Sequence, residues 1–170
     1  TEKGANGWQV GNPYAINWTK KGSIAALNIS YSWNNGSNWT RIGSSVPGAD
    51  LGWTWNINLT NTTVTTQGNI TVEDASMPGI VLGISSGTFD VRGRLEVVAP
   101  SEPNTVITYD GTSSYDIAWN AYSSISKVKL KYSTNGGAAY PNTIQSNVSA
   151  DSSPYPWPVL DSIGYNLSIN

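Results

Sequence analysis

The chain repeats its own pattern at an interval of about 101 residues, and this repeat constrains the fold more than any other feature. Trp18 and Trp119 are 101 positions apart, and nine of the 26 gapless positions from 14 to 39 carry the same residue 101 positions later. Tryptophan is rare and the alternation of apolar residues agrees between the copies, so chance explains the match poorly. We therefore predict two copies of one domain, covering residues 1–93 and 94–170.

Both copies carry the sequence pattern of β-strands. Alternation of period two, with β-branched and aromatic residues on one side, runs through 14–18, 27–32, 89–97 and 127–133. Asn-Gly, Gly-Gly and Pro-Gly turn signals separate such runs, and no segment has a convincing helical period. Short strands with frequent turns predict an all-β chain, folded as two tandem antiparallel β-sandwiches.

The two copies are not equally complete. Copy two stops at Asn170, just after the counterpart of Val72, whereas copy one continues into a further strand. Conversely, residues 95–100 are predicted as the first strand of copy two, and their counterpart in copy one would precede Thr1. The pattern predicts that copy one lacks its first strand and copy two its last strand or two. The boundary then falls near Gly93 with almost no linker, as in a stiff tandem.

Composition excludes several classes of function. The chain has no Cys and no His, which removes disulfides, thiolate and imidazole chemistry and the usual zinc ligands. A net charge of −2 without a basic stripe argues against nucleic-acid binding, and no apolar run is long enough to span a membrane. Asn, Ser and Thr make up 56 of the 170 residues, a polar composition typical of secreted β proteins. We predict an extracellular or cell-surface protein without enzymatic activity or cofactor.

Asn-x-Ser/Thr sequons are about twice as frequent as this composition would give by chance. Asn17 and Asn28 lie on the outward parity of their strands, so a glycan could be attached to either side chain. The alternative is that Asn-rich turns generate sequons that stay unmodified. The nine candidate glycosylation sites are Asn17, Asn28, Asn35, Asn38, Asn58, Asn61, Asn69, Asn147 and Asn166.

The tryptophans could stack on sugars if several lay exposed in one plane. Trp18, Trp55, Trp119 and Trp157 recur at equivalent positions with inward parity, which predicts core packing. Trp33 is on an outer face and has no aromatic counterpart in copy two. Carbohydrate binding is therefore the less favoured interpretation.

The eleven acidic residues include no pair that recurs in both copies, so the sequence indicates no glycosidase-type couple and no catalytic residue. A calcium ion at Glu73 and Asp74, or at Asp110, would suit a stiff tandem. No known calcium-loop spacing supports it, and turn formation is the simpler role for these side chains. We predict no metal site.

Three sequence features resemble a known family. They are Tyr-x-Ile-x-Trp at 14–18, the turn-containing stretch Tyr31–Trp39 and the aromatic strand Trp53–Trp55, each with a counterpart in copy two. Together they resemble the Ig-like repeat of large prokaryotic surface and secreted proteins, and they are similar to the Ser/Thr-rich cell-wall module of the Kre/Knh type. The turn also resembles the sialidase-type Asp-box, with Asn34 where Asp is usual. The resemblance implies Ig-like or fibronectin-like sandwiches that serve as spacers and scaffolds.

We therefore expect an extracellular structural protein that builds a fibre, stalk or surface layer from tandem Ig-like domains. Self-association could use strand exchange between subunits, because a domain that lacks a strand exposes unpaired backbone groups and an open core. The plainer alternative is that the chain is a piece of a longer array. Glycans would be covalent decoration. The alternative is a carbohydrate-binding or adhesin module of a larger secreted protein.

Overall fold

A computed structural model describes residues 7–101, 107–108, 110–159 and 168–169. The described residues form strands joined by turns and no helix, so none of them belongs to a helix that could cross a membrane. The strands are β1 (Trp8–Gln9), β2 (Pro13–Asn17), β3 (Ala26–Ser32), β4 (Thr40–Pro47), β5 (Gly52–Asn56), β6 (Thr65–Asp74), β7 (Leu82–Ile84), β8 (Phe89–Arg92), β9 (Arg94–Ala99), β10 (Ser114–Tyr122), β11 (Lys127–Ser133), β12 (Asn142–Ser149), β13 (Tyr155–Pro158) and β14 (Ser168–Ile169).

The chain divides into two compact units, Thr1–Arg94 and Leu95–Asn170. In the first unit, one sheet has the strand order β1-β8-β6-β3-β4, and β7 pairs with the C-terminal part of β6. The pairing of β1 with β8 is parallel and the others are antiparallel, so this sheet is mixed. The second sheet is the antiparallel pair β2-β5.

Aromatic rings fill the space between the two sheets of the first unit. Tyr31 of β3 lies with its ring centroid 4.9 Å from that of Trp55 of β5, which joins the sheets. Trp8 packs on Phe89 with a centroid distance of 4.5 Å, and Ile16 of β2 is fully buried. Ile16 and Trp55 are flanked by exposed residues along β2 and β5, as a half-buried strand requires, whereas β3 is buried on both faces from Leu27 to Ser32.

The second unit has two three-stranded sheets, with the orders β13-β10-β9 and β12-β11-β14. Along β11 the lysines at 127 and 129 are exposed, while Val128 and Leu130 are buried. Tyr132 and Trp157 have ring centroids 5.4 Å apart, which repeats the contact of Tyr31 with Trp55 in the first unit. The buried core consists of Ile117, Trp119, Val128, Leu130, Val148, Ala150 and Trp157.

A hydrogen-bonded turn follows β3. The fully buried Ser32 hydroxyl accepts hydrogen bonds from the backbone N–H of Asn34 at 3.3 Å and of Gly36 at 2.8 Å, and it donates to Asn34 Oδ1 at 3.0 Å. The same Oδ1 accepts the N–H of Asn38 at 2.9 Å. Gly36 has a φ of 85°, which an L side chain rarely adopts, and this explains the glycine.

The turn after β11 repeats this network bond for bond. Ser133 is fully buried, accepts the N–H of Asn135 and Gly137 at 3.2 and 3.0 Å, and donates to Asn135 Oδ1 at 2.6 Å. Asn135 Oδ1 accepts the N–H of Ala139 at 3.0 Å. The residues that resemble the Asp-box, Ser32 and Asn34 with their counterparts Ser133 and Asn135, therefore form the hydrogen bonds that stabilise a turn.

The prediction of an all-β, sandwich-like fold is confirmed. The alternation over 89–97, however, is divided between β8 and β9, since Gly93 separates two strands that join different sheets. Two short strands, β1 and β7, have no counterpart among the predicted strands. The predicted end of copy two falls largely on residues 160–167, which lie outside the described residues.

Candidate functional site

An apolar groove opens in the first unit between β2 and the strands β6 and β7. It has a volume of about 680 Å³. We call it the β2 groove and define it by six of its lining residues: Ile16, Trp18, Leu27, Ile70, Val72 and Val81. Lys20 and Lys21 also line it, and the ammonium group of Lys20 donates a hydrogen bond to the carbonyl of Gly48. The groove is therefore lined by apolar side chains together with two lysines and Asp74.

The backbone of β2 presents hydrogen-bonding groups at the side away from β5. Trp18 donates its N–H to the carbonyl of Leu51 at 3.1 Å, and Tyr14 is paired with Trp55, so the even-numbered residues bond toward β5. In an antiparallel ladder alternate residues point to opposite edges, so Ala15 and Asn17 direct their backbone groups outward. In the described part of the chain, no strand pairs with this outer edge.

The second unit covers the equivalent edge with a strand. Tyr115 of β10 is paired with Trp157 of β13, in the same register as Tyr14 with Trp55. On its other edge β10 pairs with β9, a position for which the first unit has no described strand. The two units thus share a ladder, and among the described residues its third strand is seen in the second unit.

The equivalent tryptophans of the two units also differ in their hydrogen bonding. The indole N–H of Trp119 donates to the carbonyl of Ala150 at 2.9 Å. The indole N–H of Trp18 is buried and has no hydrogen-bond partner among the described residues. A buried donor without an acceptor costs free energy. The Trp18 side chain beside the β2 groove is therefore less favourably hydrogen-bonded than Trp119 in the second unit.

A second cleft in the first unit, of about 390 Å³, lies beside β4 and β5. Its lining includes the half-buried side chains of Trp33 and Trp53 together with the exposed amides of Asn58 and Asn61. Tyr31 also lines it and donates its hydroxyl to the carbonyl of Thr63 at 3.1 Å, while burial raises the pKa of this phenol above its ordinary value. Aromatic faces beside amides are groups that can contact a sugar.

The nine candidate glycosylation sites fall into three groups. Six are exposed: Asn17, Asn35, Asn38, Asn58, Asn61 and Asn147. Asn28 and Asn69 are 8% and 6% exposed, and Asn28 Oδ1 accepts the N–H of Ser45 at 3.4 Å. Asn28 was predicted to be exposed for a glycan, but it is buried, as are all residues of β3 from Leu27 to Ser32, so a glycan there would have to displace folded structure. Asn166 lies outside the described residues.

The acidic residues considered for calcium are engaged by nearby protein groups. Glu73 forms a salt bridge with Arg41 at 3.1 Å. Hydrogen bonds from the Ser76 hydroxyl and N–H lower the pKa of Asp74, and those from the hydroxyl and N–H of Ser113 lower the pKa of Asp110. Among the described residues, no group of three acidic side chains is placed to hold a metal ion.

A scan against protein-family models found no match, and comparisons with curated proteins and with solved structures found no match either. The resemblance to Ig-like surface repeats therefore stays a prediction.

Two features of these sites were not predicted from the sequence. Trp53 is two residues from Trp55 on the same strand and so has the parity that predicts core packing, yet it is half buried and lines the second cleft beside Trp33. The apolar run Ile80–Leu82 was not singled out, although its exposed side chains lie at or beside the β2 groove. Three consecutive apolar residues after a Pro-Gly turn were a usable signal for it.

Proposed function

We propose that the chain is part of an extracellular structural protein that builds a fibre, stalk or surface layer from Ig-like sandwich units. The observation that carries this proposal is that the two units repeat a framework, whereas the tryptophans lining the second cleft of the first unit are replaced in the second. The turn of Ser32 and Asn34 recurs with all four hydrogen bonds, and the contact of Tyr31 with Trp55 recurs as Tyr132 with Trp157.

The aromatic residues that could bind a ligand in the second cleft do not recur in the second unit. Trp33 is replaced by Thr134, and Trp53 by Tyr155. A framework that recurs while the cleft tryptophans do not is what a spacer needs. The role of a spacer depends on fold and association rather than on binding a small ligand. We propose a role that is structural rather than enzymatic, with glycans on the exposed sequons as decoration.

The test combines size measurement with electron microscopy of the complete chain over a range of concentrations. The proposal predicts particles that grow with concentration and end in filaments or sheets. Discrete monomers at every concentration would contradict it.

A carbohydrate-binding role is the second candidate, because Trp33 and Trp53 line one cleft with Asn58 and Asn61. A glycan array separates the two functions. A spacer binds no glycan, whereas a binding module binds a defined class and loses that binding in Trp33→Ala, which removes an aromatic face worth about 1 kcal/mol. The matched control is Trp39→Ala, which alters an exposed tryptophan that is not part of the cleft lining.

A further inference from the structure

We propose that the second cleft holds the first sugar of a glycan attached to Asn58 of the same chain, so that this sugar packs on Trp33 and Trp53 instead of extending into water. This inference rests on the proposed function, in which glycans decorate exposed sequons, and it names the sequon and the surface that binds its sugar. The ligand is a pyranose, a ring with C–H groups on its faces and hydroxyl groups at its edge.

The first argument is the aromatic lining of the cleft. Trp33 and Trp53 are half buried, so part of each indole is accessible to a ligand. Trp53 is positioned against β4, because a Cβ at Gly43 would lie only 3.2 Å from its Cζ2 atom, and the glycine leaves room for the ring. The cleft volume of about 390 Å³ lies within the range of small-ligand sites. Indoles held in this way can be covered by the C–H face of a sugar.

The second argument is the orientation of the Asn58 carboxamide. Asn58 is exposed and lines this cleft. Its Oδ1 accepts the N–H and the hydroxyl of Thr60 at 2.8 and 2.9 Å, and the N–H of Asn61 at 3.3 Å. These bonds fix the oxygen inside a turn, and none of them uses Nδ2, the atom to which an N-linked sugar is attached. A glycan on Asn58 therefore begins at the wall of the cleft, from a side chain whose orientation is already set.

The third argument is that hydrogen bonds tie the segment around Asn58 to the strand that precedes Trp33. The Tyr31 hydroxyl donates to the carbonyl of Thr63 at 3.1 Å, and the Thr65 hydroxyl donates to the carbonyl of Trp33 at 2.7 Å. The sequon and the indoles are thereby held beside one another before any sugar is present. Little conformational freedom is lost when a ligand joins groups that are already positioned.

The internal repeat adds a comparison. In the second unit Thr134 replaces Trp33 and Tyr155 replaces Trp53. At the offset that relates β5 to β13, the counterpart of Asn58 is Leu160, so the sequon is lost together with both indoles. This joint replacement is expected if the two indoles serve the glycan.

The covalent step needs a co-reactant from the host, an oligosaccharide linked through phosphate to a lipid carrier. The bond between C1 of the first sugar and the phosphate oxygen breaks, and a bond forms between C1 and Asn58 Nδ2. The amide loses one proton and the phosphate leaves as an anion, so nothing is oxidised or reduced. A transferase of the host carries out this exchange, and the cleft acts on the product.

The experiment uses the complete chain, produced in a host that attaches glycans beginning with N-acetylglucosamine to sequons. Peptide mapping by mass spectrometry identifies the modified asparagines, and NMR measures the proton shifts of the first sugar at each of them. The sugar on Asn58 is expected to show upfield ring-current shifts, because its protons lie over an indole. The sugar on Asn147, which is exposed in the second unit and outside the cleft lining, is the internal control and is expected to show none.

Variants assign the contact to the cleft. Trp33→Ala keeps the sequon and is expected to reduce the upfield shifts of the Asn58 sugar, whereas Trp39→Ala changes an exposed tryptophan outside the cleft lining and is expected to preserve them. A double-mutant cycle of Trp33→Ala with Asn58→Gln is expected to show coupling of about threefold or more in the unfolding equilibrium constant of the glycosylated chain. The same cycle with Trp39→Ala is expected to show none.

A glycan array distinguishes an attached sugar from a free one. If the unmodified chain, made in a host without sequon glycosylation, binds sugars that the glycosylated chain does not bind, the attached sugar occupies the cleft. If both forms bind equally and lose this binding in Trp33→Ala, the cleft serves a free glycan and the proposal is overturned.

Three further results overturn the proposal. They are an Asn58 sugar with the same shifts as the Asn147 sugar, upfield shifts that persist in both Trp33→Ala and Trp53→Ala, and a chain recovered from the glycosylating host without a glycan on Asn58. Each of these results concerns the cleft alone. The structural function is refuted separately, by a chain that remains monomeric at every concentration.

Discussion

Replacing Ser32 by alanine tests whether the hydrogen-bonded turn stabilises the first unit as its geometry indicates. The hydroxyl is fully buried and makes three hydrogen bonds, with distances of 2.8, 3.0 and 3.3 Å. In Ser32→Ala the N–H groups of Asn34 and Gly36 lose their acceptor inside the turn. Asn34 Oδ1 keeps its bond from Asn38, so the turn is weakened and not abolished.

The expected cost follows from these contacts. A net hydrogen bond contributes about 1 kcal/mol, and a buried donor left without an acceptor costs about 1–3 kcal/mol. Water can reach part of this turn because Asn34 and Gly36 are only half buried, which reduces the penalty. We expect a loss of about 2–3 kcal/mol, equivalent to a fall in Tm of about 10–20 °C for a unit of this size.

Urea unfolding followed by tryptophan fluorescence measures this loss, since six of the eight tryptophans lie in the first unit. Ser133→Ala is the matched change in the second unit and should shift the transition reported by Trp119 and Trp157. Ser37→Ala is the control, because Ser37 is exposed and contributes to the turn through its backbone N–H. Equal stabilities of Ser32→Ala and Ser37→Ala would refute the reasoning.

Three further predictions concern acid stability, packing and modification. Hydrogen bonds lower the pKa of Asp74 in the folded chain, so this carboxylate stabilises the fold fully above its ordinary pKa of 3.8. That stabilisation is lost as the pH falls through the lower pKa of the folded state. The urea midpoint of Asp74→Asn should therefore fall less steeply below about pH 4 than that of the parent chain. Gly48→Ala should cost about 2 kcal/mol or more in urea unfolding, because its Cβ would lie 1.7 Å from the carbonyl oxygen of Ile24, whereas Gly83→Ala, whose Cβ meets nothing within 4 Å, should cost little. In a host that glycosylates sequons, the intact mass of Asn58→Gln should be lower than that of the parent by the mass of one glycan. Asn28→Gln should lose no glycan mass, because Asn28 is buried.

Patterns local to one strand predicted the fold class well. Alternation over 127–133 correctly predicted that Val128 and Leu130 are buried, because a half-buried strand directs one face to the core and the other to water. The turn at Ser32 could be predicted from its resemblance to a known motif, since all its hydrogen bonds lie within seven residues. Local patterns suffice where the determining contacts are close in sequence.

The candidate sites depended on contacts that the sequence pattern does not contain. Parity predicted an exposed Asn28, but β3 is buried on both faces and the Asn28 side chain accepts the N–H of Ser45, 17 residues away. Likewise, the exposure of Val81 depends on residues distant in sequence that line the same groove, and alternation along one strand does not contain that information. The internal repeat supplies a comparison that a single strand lacks, because each unit shows what lies beside the equivalent residue of the other. The equivalent tryptophans show this: the indole N–H of Trp119 bonds to the carbonyl of Ala150, whereas that of Trp18 has no partner among the described residues. A difference between two copies of one framework therefore locates a candidate site more directly than the residues of either copy alone.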